Sequence, residues 1–207
     1  MNTTLEETLG AGSSDERAIL RRLHGRLAAT ARAEGVLDVA YRTLDTPAGS
    51  LLLAATTVGL VRIAFAEQDH DRVLEDLARR IGPRILADSP ALDLAARELG
   101  EYFAGARRHF DVPLDHRLTS GFRADVLAQL PLIDYGRTAS YAQVARAAGN
   151  PRAVRAVGSA CGANPLPIVV PCHRVVRSDG SLGGYAGGLD AKRVLLALES
   201  DGERRAG

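Results

Sequence analysis

Hydrophobic and polar residues follow two periods along the chain, and the change between them predicts where strands give way to helices. Three apolar runs separated by turn-forming residues predict the strands of an antiparallel meander, at 39–44, 50–55 and 60–65. Apolar residues then recur at helical spacing in 71–81 and in 90–103. The first half of the chain is therefore predicted to be a small antiparallel sheet-and-helix unit of the α+β class.

The second half has mostly helical periodicity. Phe122–Leu130 carries one apolar stripe and is expected to be a buried helix. Ser140 and Gln143 have the spacing of a capping box, which predicts that a short helix opens there. Asn150 is expected to cap the next helix, with Pro151 at its first position. Two short helices joined by a tight turn make a helix-turn-helix candidate.

The second of these helices differs between its faces. Val154 and Val157 share one stripe with Cys161, and this stripe is expected to face the core. Three polar residues lie off the stripe, namely Arg152, Arg155 and Ser159. On its own this arrangement is typical of any alanine-rich helical hairpin as well as of a DNA-binding one.

A polar stretch interrupted by a proline, at 109–118, is typical of a linker and divides the chain. We expect a mobile tail at 1–14, an N-terminal domain at 15–116 and a C-terminal domain at 117–207. The segment 15–33 has apolar residues at helical spacing with five arginines between them. It is expected to form an amphipathic helix with its apolar stripe packed on the body, although a basic helix of this kind could also touch nucleic acid or a membrane.

Composition limits the class of protein. A chain of 207 residues with 46% hydrophobic residues can bury a core. Two cysteines make no disulfide framework, and the sequence holds no clustered Cys and His residues, so no metal site is predicted. Because neither a secretory segment nor a long apolar run is found, a cytoplasmic protein is expected.

Charge is distributed unevenly. Residues 1–116 hold 14 Arg and 18 acidic residues, a net charge of −4, and residues 117–207 hold 12 basic and 7 acidic residues, a net charge of +5. A basic C-terminal half is what a phosphate-binding surface needs, although many basic surfaces bind nothing. The N-terminal half shows no catalytic constellation, and its histidines are scattered.

One stretch carries the candidate chemistry. The apolar run 168–170, closed by Pro171, is interpreted as a buried strand that delivers Cys172 to a fixed place. A free thiol titrates near about 8.5, so a reactive thiolate needs a stabilising neighbour, and His173 is the obvious one. Adjacent side chains on an extended backbone point to opposite faces, so either a turn brings the two together or a water bridges them. Cys161, in the middle of a helix without an adjacent histidine, is expected to be core packing.

The context of this thiol is specific. The sequence Pro-Cys-His-Arg-Val at 171–175, the loop Gly-Gly-Tyr-Ala-Gly-Gly at 183–188 and an apolar helix ending in Glu199 resemble the O6-alkylguanine-DNA alkyltransferase family. The resemblance covers 43–199 loosely and 135–199 closely. It implies direct reversal of DNA damage in a single turnover without a cofactor, acting on double-stranded DNA that contains O6-alkylguanine, with no membrane and no obligate protein partner. Some members bind zinc in the N-terminal domain, and ligands of that kind are absent here.

The resemblance also implies roles for four residues in the chemistry. Cys172 is expected to accept the alkyl group as a thiolate, and His173 to act as its base through a water. Glu199 is expected to hold the imidazole, as the carboxylate does in hydrolytic triads. Asn164 is expected to tie the helix turn to the active-site segment.

Further residues are implied in base extrusion and binding, because a stacked base cannot reach a buried thiol. Arg155 would fill the place of the extruded base, and Tyr141 would crowd or contact the neighbouring phosphate. The hydroxyl of Tyr185 would donate to N3 of the base, while the Val175 carbonyl and the Ala186 amide would meet the exocyclic amine and O6. Since a main-chain amide is used, alanine in place of the serine of some relatives should cost little.

The DNA backbone contacts are expected from Arg152 and Ser159. Two other functions stay open at this point. A thiol hydrolase or acyltransferase would also activate a cysteine with a histidine, but such enzymes place the histidine far away in sequence and need an oxyanion hole. A non-catalytic DNA-damage binder would share the helix-turn-helix, but relatives of that kind lack the cysteine that this chain has at Cys172.

Overall fold

The computed structural model describes residues 14–88 and 90–204. The tail expected at 1–14 lies outside these residues except for Ser14, which is the first residue of a helix. In chain order the N-terminal elements are α1 (Ser14–Ala33), β1 (Val39–Thr46), β2 (Gly49–Ala55), β3 (Leu60–Phe65), α2 (His70–Arg80), β4 (Ile85–Ala87) and α3 (Asp93–Phe103). The three predicted strands and both predicted helices are thus present, within a few residues at each end.

The sheet has the order β3-β2-β1-β4 and is mixed. The three predicted strands form the expected antiparallel meander, whereas β4 pairs in parallel with β1. The predicted meander is thus confirmed, and β4, which the sequence did not indicate, adds a parallel strand at its edge. Because β3 and β4 run in the same direction, the chain needs a crossover between them, and α2 supplies it.

Both faces of the sheet are covered, which explains why β2 is apolar throughout. Leu51 and Leu53 point into the main core, and Leu52 and Ala54 point into a smaller core beneath α2. All four side chains are buried. The face that carries Leu51 and Leu53 is the one that meets the C-terminal half.

The C-terminal half is mostly helical, as expected. Its elements are α4 (Gly121–Gln129), β5 (Ala139–Ser140), α5 (Tyr141–Ala147), α6 (Val154–Gly162), β6 (Val175–Val176) and α7 (Gly188–Arg204). The predicted capping box is present, because the Gln143 amide donates to Ser140 Oγ at 3.2 Å and the Ser140 amide donates to Gln143 Oε1 at 2.7 Å. Helices α5 and α6 follow one another across a short turn, which confirms the predicted pair of helices.

The start of α6 differs from the prediction. The helix begins at Val154 and not at Pro151, because the Ala153 amide donates to the Asn150 carbonyl at 3.0 Å and closes a separate turn before it. The inward stripe consists of Val157, Ala160 and Cys161, while Val154 is 38% exposed. The expectation that Val154 faces the core is therefore wrong.

Helix α1 has the predicted bounds but not the predicted packing. It is attached to the body by buried Ala28 and by an ion pair of 2.6 Å between Arg32 and Asp88. The apolar residues expected to pack on the body are exposed, namely Ile19, Leu20, Leu23 and Leu27. None of the described helices is long and apolar enough to cross a membrane.

The main core is shared by the two halves of the chain. Phe65 of β3 and Tyr102 of α3 belong to the same buried cluster as Val157 of α6, Leu195 of α7 and Cys172 itself. The candidate thiol therefore lies where the sheet unit meets the helical unit.

Candidate active site

The segment that carries Cys172 is a series of turns, so the strand expected at 168–170 is wrong. The Val170 amide donates to the Leu166 carbonyl at 2.8 Å, which folds the apolar run back on itself. Ile168 has φ of 76°, a left-handed conformation that typically costs a residue of this kind about 1 to 3 kcal/mol. Pro165 and Pro167 before the run and Pro171 after it explain the difference, because proline has no amide hydrogen to donate to a neighbouring strand.

Asn164, just after α6, holds this turn in place. Its Nδ2 donates to the Val170 carbonyl at 2.8 Å and lies 3.1 Å from Cys172 Sγ, while its Oδ1 accepts from the Leu166 amide at 3.0 Å. The side chain is buried, so these contacts are shielded from water. They connect the end of α6 with the thiol, and the catalytic role of Asn164 stays a prediction.

Cys172 is buried, and burial favours the protonated form of its thiol. Burial raises the pKa of its thiol to about 11, although the hydrogen bond from Asn164 and the charge of Lys192 act to lower it. A thiol of this kind holds its proton at neutral pH until a base removes it. The site therefore needs a base within reach of the sulfur.

His173 follows Cys172 in the chain and is the candidate for that base, although no hydrogen bond between its ring and the sulfur is found in residues 14–88 and 90–204. Residues 172–174 form a 3₁₀ turn that directs His173 Nε2 to Glu199 Oε1, at 2.9 Å. Because an ionised carboxylate only accepts, Nε2 must carry the ring proton, which leaves Nδ1 as an acceptor. This Nδ1 is buried and has no hydrogen-bond partner in the described part of the chain. The pKa of His173 is lowered, because the effect of burial is larger than the opposing effect of the hydrogen bond and charge of Glu199.

Glu199 is the most densely bonded group of the site. Its Oε1 accepts from Tyr102 Oη at 2.8 Å, from His173 Nε2 at 2.9 Å and from Arg174 Nη2 at 2.9 Å. Its Oε2 accepts from Arg174 Nε at 2.9 Å and from the Gly136 amide at 3.1 Å. Burial by itself would raise the pKa of Glu199, but the hydrogen bonds and charges of His173 and Arg174 lower it to about 2. The carboxylate is therefore ionised at every physiological pH.

The sequence did not indicate three residues that contact this site. Tyr102 comes from α3 in the N-terminal half, which the sequence did not connect with this site. Arg174 lies inside the Pro-Cys-His-Arg-Val motif, and its position could have suggested a role. Lys192 could have been found as the single lysine of a chain rich in arginine. It is buried, and its Nζ donates to the Val175 carbonyl at 2.6 Å.

The predicted base-binding residues Val175, Tyr185 and Ala186 lie in the segments that follow the thiol in the chain. The Tyr185 ring lies edge-on to His173 with centroids 6.4 Å apart, and its buried hydroxyl has no partner within residues 14–88 and 90–204. Ala186 follows it in the same half-buried loop. The Val175 carbonyl already accepts from Lys192, but a carbonyl oxygen has two lone pairs and can accept again.

The glycines of this loop serve different purposes. A Cβ added at Gly183 would collide with the Tyr141 hydroxyl, and one added at Gly187 would collide with the Phe65 ring. Gly188 has φ of 77°, which few other residues adopt. Gly184 has open space around it, so nothing in the structure requires glycine there.

The predicted DNA-contacting residues lie on the exposed side of the helix pair. Arg152 and Arg155 are exposed, and no ion pair or hydrogen bond of their side chains is found among the described residues. Ser159 is also exposed and donates to the Arg155 carbonyl at 3.3 Å. Tyr141, at the start of α5, is half-buried between α6 and the glycine loop. The structure places these residues on one accessible surface, and their roles stay predictions.

Cys161 has the surroundings expected of a core residue. It is buried, and burial raises the pKa of its thiol to about 12. No three His, Cys, Asp or Glu side chains in the described ranges are grouped as metal ligands. Fold and site together define a helix-turn-helix protein with a buried cysteine, next to a carboxylate-bound histidine, at the junction of its two halves.

Comparison with known proteins identifies the family. Residues 39–116 match the ribonuclease-like domain of 6-O-methylguanine DNA methyltransferase, and residues 121–201 match its DNA binding domain. The chain belongs to this family.

Several relatives match over most of their length. The methylated-DNA--protein-cysteine methyltransferase of Mycolicibacterium paratuberculosis is 44% identical over 161 residues, which are 78% of this chain and 92% of that protein. The constitutive methylated-DNA--protein-cysteine methyltransferase of Bacillus subtilis is 39% identical over 77% of this chain and 94% of that protein.

Solved structures similar to this chain belong to the same family. The crystal structure of Mycobacterium tuberculosis O6-methylguanine methyltransferase has a TM-score of 0.68 and 41% identity, over 79% of this chain and 93% of that one. The structure of Mycobacterium tuberculosis OGT in complex with DNA has a TM-score of 0.69 at the same identity, over 79% of this chain and 94% of that one.

Proposed function

We propose that this protein repairs O6-alkylguanine in double-stranded DNA by moving the alkyl group irreversibly onto Cys172, once per molecule. The observation that carries the proposal is the buried thiol of Cys172, held by Asn164 and followed by a histidine whose Nε2 is fixed on a carboxylate. The family and the printed names of the relatives support the same reaction.

DNA is bound first, in this proposal, by the exposed side of α5 and α6. Arg152 and Ser159 contact the phosphate backbone, so affinity falls with salt for every sequence. Arg155 fills the place of the extruded guanine, and Tyr141 drives the rotation by crowding the adjoining phosphate. Both positions fit because α6 presents Arg155 to solvent and Tyr141 borders the glycine loop.

The extruded base then lies in the loop that follows β6. The Tyr185 hydroxyl donates to N3, and its present lack of a partner supports this role. The carbonyl of Val175 accepts from the exocyclic amine, and the amide of Ala186 donates to O6. Lys192 holds the Val175 carbonyl from the other side and adds positive charge near the sulfur.

Transfer is a displacement at the alkyl carbon. The Cys172 proton passes through a water to His173 Nδ1. The sulfur attacks the alkyl carbon, and the bond between that carbon and guanine O6 breaks. The proton passes on to the departing guanine, so a neutral thiol and an alkylguanine become a neutral thioether and guanine. Glu199 keeps the imidazole oriented throughout. Atoms and charges balance in this step without a metal or a cofactor.

The two halves share the work in this proposal. Residues 117–207 bind the DNA and carry the acceptor thiol, and residues 15–116 complete the core around it. We propose that the protein acts in the cytoplasm, because its two cysteines are both free and a reducing compartment keeps an acceptor thiol available. No obligate protein partner is needed for the reaction.

The test is a single-turnover experiment with duplex DNA that carries labelled O6-methylguanine in excess. We expect one burst equal to the concentration of active protein, a mass increase of one methyl group and the label on the peptide that contains Cys172. Cys172→Ala should abolish transfer and keep DNA binding, and Cys161→Ala should transfer normally.

Three results would count against the proposal. Label on the peptide of Cys161 would overturn the acceptor assignment. Product formation beyond one equivalent would indicate a thiol hydrolase, because water hydrolyses an acyl thioester and so regenerates the free thiol, whereas it does not cleave a thioether. Binding of the lesion without any transfer would indicate a non-catalytic damage binder.

A further inference from the structure

The N-terminal half reaches the catalytic carboxylate through one hydroxyl. Tyr102 Oη donates to Glu199 Oε1 at 2.8 Å, although the two residues lie 97 positions apart in the chain. The same oxygen accepts from His173 Nε2 at 2.9 Å. The tyrosine hydroxyl and the imidazole therefore share one acceptor atom.

The position of this hydroxyl is fixed by its surroundings. Tyr102 is fully buried, and its ring packs against the rings of Phe103, Phe110 and Tyr135 with centroids 5.4 to 6.2 Å apart. Burial and the charge of Glu199 raise the pKa of Tyr102 well above its usual value. The hydroxyl consequently stays a neutral donor at every pH at which the protein works.

A donor on a carboxylate oxygen reduces the charge that the oxygen offers to its other partners. In a buried, low-dielectric site this effect is not screened by water. If the Tyr102 hydroxyl were removed, Glu199 would stabilise the doubly protonated, positively charged form of His173 more strongly. In that form Nδ1 already carries a proton and cannot accept the proton of Cys172.

We propose that Tyr102 is a positioning residue for the alkyl transfer, which acts through Glu199 to keep His173 neutral and able to accept the thiol proton. The inference rests on the proposed function, because it concerns the base of that reaction. It gives the N-terminal half a part in the chemistry in addition to its part in the core.

Other groups around the imidazole set the background for this effect. The titratable and charged groups that face His173 or its carboxylate are Glu199 and Lys192 of α7, Arg174 and Cys172 of the 3₁₀ turn, Tyr185 of the glycine loop, Tyr135 before β5 and Tyr102 of α3. Arg174 also bonds Glu199, but through two nitrogens and with a full charge, so it anchors the carboxylate at both oxygens. Tyr102 adds a single neutral hydrogen bond, which can be removed while the ring stays in place.

The test is the pH dependence of the transfer rate for Tyr102→Phe. We expect the acidic limb of the profile to move to higher pH by about half a unit to one unit. The rate at mildly acidic pH should fall about threefold to tenfold, and the alkaline plateau should change by less than about twofold. The matched control is Tyr41→Phe, whose profile should match the wild type, because Tyr41 of β1 packs against the smaller core beneath α2 and the carboxylate accepts from five other donors. A uniform loss of rate at all pH values, or an unmoved profile, would overturn the inference.

A double-mutant cycle with Glu199→Gln tests the route of the effect. Tyr102→Phe should have no further influence on the acidic limb when the carboxylate is already absent. Equal shifts in both backgrounds would contradict an action through Glu199.

An effect on folding is distinguished from an effect on the transfer step by the two parameters of the burst. Its amplitude gives the number of active molecules, and its rate constant gives the rate of transfer. If Tyr102→Phe yields no folded protein, a fluorotyrosine at position 102 replaces it. This residue keeps the ring and is a stronger donor, so the acidic limb should move to lower pH, and an unmoved limb would overturn the inference. A wild-type protein that transfers no alkyl group would instead defeat the proposed function itself.

Discussion

Replacing Glu199 by glutamine exchanges one oxygen for an NH₂ group and leaves the size of the side chain unchanged. The five donors that surround the carboxylate are arranged with three on one oxygen and two on the other. An amide nitrogen cannot accept, so whichever way the new amide is turned, at least two buried donors face another donor. The charges of Arg174 and of any protonated His173 lose their counter-ion at the same time.

The magnitude follows from the pKa of the carboxyl group. Its value of about 2, against an ordinary 4.5, differs by about 2.5 units, which corresponds to about 3 kcal/mol at 1.36 kcal/mol per unit. Breaking one partner of a buried ion pair costs a comparable amount, about 3 to 5 kcal/mol. Because the pKa is lowered by folding, this stabilisation is complete above pH 4.5 and is lost as the pH falls towards 2.

Urea unfolding of wild type and Glu199→Gln at pH 7 and pH 3 measures both quantities. We expect a loss of about 3 to 5 kcal/mol at pH 7 and a clearly smaller loss at pH 3, where the wild type has itself lost part of the stabilisation. The control is Glu75→Gln on α2, whose side chain is 71% exposed and pairs with Arg79 only at 4.0 Å, so it should change stability little. A loss below about 1 kcal/mol at pH 7, or an equal loss at both pH values, would refute the reasoning.

Two further substitutions test the DNA-facing and base-facing surfaces. Arg155→Ala should slow repair of duplex DNA at least about tenfold, the loss expected for extrusion work of a few kcal/mol, and should leave reaction with free O6-benzylguanine unchanged. Equal losses on both substrates would exclude the extrusion role. Gly183→Ala should slow transfer because its methyl group would meet the Tyr141 hydroxyl, whereas Gly184→Ala, with open space around it, should not. The cost of Gly183→Ala in thermal unfolding should be smaller in a Tyr141→Ala background, because the added methyl group collides with the Tyr141 ring as well as with its hydroxyl, and an equal cost in both backgrounds would contradict the steric explanation.

The parts of the fold that the sequence predicts well are those that neighbouring residues decide. The capping box of Ser140 and Gln143 closes within four residues and is present with both hydrogen bonds. The strand Leu60–Phe65 was predicted with its bounds, because turn-forming residues flank a short apolar run. In these cases each residue's local preference agrees with the final fold.

The errors arise where the conformation depends on specific contacts that the periodicity of apolar residues does not describe. The run 168–170 has the composition of a strand. However, the Asn164 side chain bonds the Val170 carbonyl and the Leu166 amide, and Ile168 adopts a positive φ in the resulting turn. Strand β4 has three residues and forms because β1 is available as a partner. The sequence around Tyr102 does not indicate its contact with the site, since its partner Glu199 is 97 residues away.

The same long-range contacts explain why the acceptor site lies between the two halves. Phe65 of β3 packs edge-on against Tyr185 with centroids 5.5 Å apart, and its ring fills the space that a side chain at Gly187 would need. The sheet thus shapes the loop that is proposed to hold the base, while Tyr102 bonds the carboxylate behind the histidine. A close-packed interior passes small displacements on to its neighbours. The glycine loop and the orientation of His173 therefore both depend on how the sheet unit packs against the helical unit. For this reason the family-typical motif around Cys172 is not sufficient by itself to build the site.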